Sequence, residues 1–123
     1  MTATRINAPY VVLYDDDTYT NGTITLSESA ANFSRLVICA RSNDGFYSSA
    51  EVWHPDGKTV SLFSATPTSS TMYVKSRCVT ISGTTISTSV VSGATYAGQG
   101  TVKSSPSYAN GNYLGITQVI GYR

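Results

Sequence analysis

Turn signals cut this sequence into short segments, and that punctuation is its strongest constraint on folding. Asn21-Gly22, Asn43-Asp44-Gly45, His54-Pro55-Asp56-Gly57, Gly83-Thr84 and Asn110-Gly111 supply residues suited to tight reversals. Their spacing is near that of a sandwich or barrel. The stretches between them are rich in Val, Ile, Thr and Tyr, which fit a pleated, half-buried surface. Ser and Thr fill more than a quarter of the chain, and the helix formers Leu, Glu, Lys and Met are sparse. The expected fold is all-β, an antiparallel β-sandwich or jelly roll of about eight strands. At 123 residues the chain fits a single β domain, 1–123, with one core. Residues 1–9 read as a linker-like N-terminal segment.

Along the chain, residues 10–14 form the expected first strand, opened by Pro9 and broken by Asp15-Asp16-Asp17. A short strand at 23–26 sets Ile24 and Leu26 on one face. Residues 27–32 are the one helical turn, with Ser27 as its cap. Residues 35–41 are apolar on both faces, which predicts a central strand covered on both sides. Strands follow at 46–54, 59–64, 71–82 and 85–91, with a polar loop at 65–70. In the 54–57 turn, Pro55 sits second and Gly57 fourth. Residues 92–111 read as a long loop with a short strand at 101–103, and 113–122 as the final strand. The predicted core is Val11, Leu13, Leu26, Leu36, Ile38, Val52, Val60, Leu62, Val74, Ile81, Ile116 and Ile120.

Charge narrows the function classes. Eight basic side chains face seven acidic ones, the net charge is +1, and no basic run exists, so nucleic acid is not an expected partner. Low charge with ordinary apolar content argues against disorder. No signal-peptide pattern and no apolar run near the ~20 residues of a transmembrane helix appear, so no membrane is expected and synthesis is cytoplasmic. Cys39 and Cys78 lack metal-site spacing. They are free core residues or a pair on neighbouring strands, and a cytosolic origin favours free thiols.

The chemistry-bearing residues are few. His54 is the only histidine, and Asp56 beside it is better explained by the turn than by a catalytic triad. No nucleophile elbow, phosphate loop or zinc pattern appears. Asp15-Asp16-Asp17 reads as a solvated turn rather than a calcium loop. Glu28 and Glu51 become a glycosidase pair only if their separation allows it. No catalytic residue, metal or cofactor is expected, and the chain reads as a non-enzyme. Aromatics are the better lead. Strand alternation puts Tyr47, Ser49, Glu51 and Trp53 on one face, opposite Val52. That face suits a glycan, with Tyr47 and Trp53 as its contacts. The alternative packs Trp53 into the core or a subunit interface.

Three segments carry a resemblance: NGTITLSESAANF at 21–33, VWHPDGKTVSLFS at 52–64, which continues into MYVKSRCVTISGTTI at 72–86, and NYLGITQVIGYR at 112–123. Together they resemble a small module of tail, fibre or other virion structural proteins from bacteriophages and prophages of Gram-positive bacteria. The resemblance implies a virion component made in the bacterial cytoplasm, which assembles an appendage and contacts the host surface. It implies self-association, as a trimer, with other virion proteins and a bacterial cell-surface glycan as further partners. It supplies no catalytic motif. Edge chemistry agrees with self-association. Lys75 and Arg77 are expected to guard the 71–82 strand, whereas 85–91 has no charge and needs a partner to cover it. The Tyr-bearing C-terminal strand is a second expected contact.

Overall fold

The structure, a computed structural model, describes residues 9–20, 22–89, 97–102 and 108–123. Those residues hold ten strands: β1 Tyr10–Thr20, β2 Ile24–Thr25, β3 Arg35–Ser42, β4 Tyr47–Trp53, β5 Thr59–Pro67, β6 Met72–Ser82, β7 Thr85–Thr88, β8 Ala97–Val102, β9 Tyr108–Gly111 and β10 Leu114–Tyr122. All pairings are antiparallel, in two sheets. The four-stranded sheet runs β1-β10-β3-β4. In the six-stranded sheet β6 pairs with β5 along one side. Its other side takes β7 near its end and β8 near its start, and β2 and β9 extend these. The protein is an all-β sandwich, as the turn spacing predicts.

Alternation builds the core between the sheets. β3 points Leu36, Ile38 and Ala40 inward, and they meet Val52, Leu62, Val79, Ile81, Ile86 and Val119. Ile24 and Leu26 are both buried, on one face as expected. Of the predicted core, Leu13, Leu36, Ile38, Val52, Leu62, Ile81 and Ile116 are also buried, and Val11 and Val60 pack against the cluster from its margin.

Two predicted core residues face the other way. The β10–β3 register shifts between Ile116 and Gln118. Ile116 pairs with Ala40 and Val119 with Ile38, both inward, but Ile120 pairs with outward Val37. The extra residue of a bulge reverses the phase of everything after it. Val74 lies out of phase with Lys75, Arg77, Val79 and Ile81, which are the buried positions of β6. Lys75 and Arg77 are therefore not edge guards: they are 3% and 2% exposed, inside the sandwich.

Their polar ends are satisfied at one end of the interior. Lys75 Nζ donates to Asn43 Oδ1 at 2.7 Å and pairs with Asp44 at 2.8 Å. Arg77 donates to the Leu114 carbonyl, to Asn112 and to Thr88 Oγ1. Apolar stems thus fill core space while the heads reach acceptors at the rim.

Other boundaries also move. Asp15–Asp17 does not break β1: the strand continues through it, with a register irregularity between Asp15 and Thr20. The helical turn is a 3-10 turn, Ala30–Asn32, capped by Ser29, whose Oγ accepts from Ala31 N–H at 3.2 Å. The 54–57 turn sits one residue later, since Lys58 N–H donates to the Pro55 carbonyl. Gly57 then takes the third position with φ 83°, where glycine avoids a steric penalty. β5 continues through 65–67 into the expected loop. β8 and β9 occupy much of the expected 92–111 loop. The two strands expected to seek partners are interior: β7 lies between β2 and β6, and β10 between β1 and β3. The expectations for residues 1–8, Asn21, 90–96 and 103–107 fall outside the described residues.

Candidate functional site

The outward face of the four-stranded sheet is ordered by register. One rung crosses all four strands: Tyr10 pairs with Tyr122, Tyr122 with Arg35, and Arg35 with Trp53. The Tyr10 and Tyr122 ring centroids are 6.1 Å apart. The Arg35 guanidinium lies 4.1 Å from the Tyr122 ring centroid and 5.5 Å from that of Trp53. It also pairs with Glu51 at 3.2 Å. A cation over an aromatic face is attracted by the ring quadrupole, so Arg35 links the two edges of the platform. The next rung is mostly aliphatic: Val12, Ile120, Val37 and Glu51.

The third rung is polar: Asp15, Gln118, Cys39 and Ser49. It floors an open trough of about 470 Å³, walled also by Asp17, Thr117, Tyr47 and Ser48. Asp16 is occupied locally, since Oδ1 accepts from the Thr18 N–H and hydroxyl at 3.1 and 2.8 Å. The Asp15 and Asp17 carboxylates make no hydrogen bond or ion pair among the described residues.

Alternation along β4 places the four sequence-predicted residues together. Tyr47, Ser49, Glu51 and Trp53 are all exposed, and Val52 is buried behind them. Tyr47 is 63% and Trp53 54% exposed, so Trp53 does not pack in the core. The covered central strand is corrected in the same way: Val37 and Cys39 are half-buried on this open face. Tyr10, Tyr122 and Arg35 belong to the same platform but escape a strand-by-strand reading. Only cross-strand register brings them together.

The remaining candidates have structural partners. His54 is exposed at φ 48°, and its N–H donates to the Ser34 carbonyl at 2.8 Å. Asp56 Oδ1 accepts from Gly83 N–H at 2.8 Å, pinning this turn to the β6–β7 hairpin. Glu28 accepts from both Arg123 terminal nitrogens at 2.9 and 3.0 Å, and these bonds, together with one from Asn32 Nδ2, hold its carboxyl below the usual range. Glu51 is engaged by Arg35. Among the described residues, no three His, Cys, Asp or Glu side chains are placed to hold a metal. Cys39 and Cys78 are free, half-buried thiols outside the core, and burial pushes Cys39 up. No protein-family model, curated protein or solved structure matches the chain.

Proposed function

We propose that the chain is a non-catalytic structural module of a bacteriophage or prophage virion, on a tail, fibre or capsid appendage. It assembles with copies of itself and presents its four-stranded sheet to the bacterial surface. The observation that carries the reading is the platform of Tyr10, Tyr122, Arg35 and Trp53, built from every strand of that sheet and left open. Exposed aromatic surface of this kind marks an interaction face. The resemblance of residues 21–33, 52–64, 72–86 and 112–123 to virion modules supplies the biological setting.

Self-assembly fits β5 better than β7 or β10. β5 is paired only with β6 among the described residues and has no charge over its nine residues. Phe63 at its centre is 64% exposed. Such an edge invites pairing unless something covers it. The resemblance points to a trimer, so light scattering should give a mass near three times 13.1 kDa. A monomer at micromolar concentration overturns the assembly reading. Mass spectrometry of particles purified from the source bacterium tests the virion placement, and absence of the chain overturns it.

A second reading is a stand-alone carbohydrate-binding module. Exposure of Tyr47 and Trp53 on one face, with Ser49 and Glu51 between them, favours it. A monomer that binds glycans would select this reading over the first.

A further inference from the structure

We infer that the trough beside Tyr47 is a saccharide subsite, selective for neutral glycans, which extend from it along β4 to Trp53. The inference deepens the proposed role of this face by naming the ligand class. Its volume, about 470 Å³, lies within the range of small-molecule clefts.

A sugar ring has an apolar C–H face and an equatorial belt of hydroxyls. It is bound by a flat hydrophobic partner together with clustered acceptors and donors. The trough provides both. Tyr47 supplies an exposed ring at the wall. Asp15 and Asp17 supply carboxylates without partners among the described residues, and each accepts hydroxyl protons. Gln118 and Ser49 add groups that both donate and accept. A purely apolar ligand would leave these carboxylates desolvated and unmatched.

Charge sets the selectivity. Among the described residues, no cation lines the trough. Arg35 is engaged by Glu51 two rungs away, and Arg41 pairs with Tyr47 in register without walling the trough. An anionic glycan would meet two carboxylates at close range, whereas a neutral one satisfies them. The site is longer than one ring. Tyr47 and Trp53 share a face six residues apart, roughly 20 Å along a strand. An oligosaccharide anchored in the trough reaches the aromatic platform.

The test is an array of neutral and anionic oligosaccharides probed with the whole protein, followed by calorimetric titration of the strongest neutral hit. Tyr47→Ala is expected to weaken that hit by about tenfold or more. Asp15→Asn with Asp17→Asn is expected to weaken it too, while Thr25→Ala at an exposed position of the other sheet leaves it unchanged. Circular dichroism confirms that each variant is folded. The inference is overturned by no neutral binding, by preference for anionic glycans, or by a hit indifferent to Tyr47→Ala. Assembly is read separately by mass. A trimer that binds no saccharide removes this site and keeps the assembly reading, and a monomer that binds through Tyr47 does the reverse.

Discussion

At one end of the interior, Leu36 of β3 pairs with Gly121, which lies against the Phe33 ring, and β6 adds the buried Ile81 to the apolar cluster. At the other end the same strands, β3 and β6, deliver Ser42, Lys75 and Arg77. The apolar end is held by shape. An added Cβ at Gly121 would lie 2.7 Å from the Phe33 ring, which already carries the Arg123 guanidinium 4.8 Å from its centroid. The polar end is held by matched groups. Lys75 reaches the 43–45 turn of the four-stranded sheet, and Arg77 reaches the segment entering β10. Apolar packing is non-directional and fixes density, whereas buried cations and their acceptors fix which loop meets which strand. One end mainly stabilises the sandwich, and the other mainly aligns its sheets.

This division predicts different responses to mutation. Leu36→Ala should cost about 2–5 kcal/mol in chemical denaturation, because the removed atoms leave a cavity in a fully buried site. If Leu36→Ala and Ile38→Ala both leave the melting temperature unchanged, β3 is not the core of the apolar end. Gly121→Ala should cost about 1–3 kcal/mol through overpacking, and Phe33→Leu should recover part of that loss if the ring is the obstacle. Arg77→Met keeps the stem but strands the Leu114 carbonyl, Asn112 and Thr88. A cost of about 1–3 kcal/mol is expected. If it equals or exceeds the Leu36→Ala loss, the polar end is as much a source of stability as the apolar one.

The smallest expected effect is acidic. Burial pushes the Asp44 carboxyl up, but hydrogen bonds from Lys75 and Ser42 outweigh it and hold the group below its ordinary value. A lowered folded-state value means the stabilisation is complete above the unfolded value, about pH 4, and is lost as pH falls below it. Glu28, lowered by Arg123 and Asn32, has the same sign. Asp44→Asn should flatten the acid limb of the stability profile slightly and leave it unchanged near neutrality. An equal flattening in Leu36→Ala would show that the two ends are not separable.

Much of this architecture is legible in the residues. The turn signals place the β3–β4 and β6–β7 hairpins, and simple alternation gives the faces of β3 and β4, including exposed Tyr47 and Trp53. What escapes is set by neighbours. The phase of Ile120 depends on a bulge that no local pattern marks. Lys75 and Arg77 look like guards of an exposed edge because charge alone cannot reveal acceptors more than thirty residues away. β8 is built from AGQGTV, too small in side chain to show a period, and exists by pairing with β6 and β9. Asp15–Asp17 stays extended because β10 supplies a partner strand. The trough needs residues from four strands at once, which only the register provides.

The position of β10 has a consequence for the order of events during synthesis. It lies between β1 and β3, and Tyr10 meets Tyr122 while the Arg123 N–H reaches the Pro9 carbonyl. On the ribosome, β1 and β3 therefore emerge with an empty slot between them. The β3–β4 hairpin can form early, but the sheet cannot join until β10 has emerged. Contacts of such long sequence separation fold slowly, since the loop must close before pairing repays it. The aromatic platform is thus completed only when β10 arrives, and a nascent chain halted before β10 presents two unpaired strand edges and no platform.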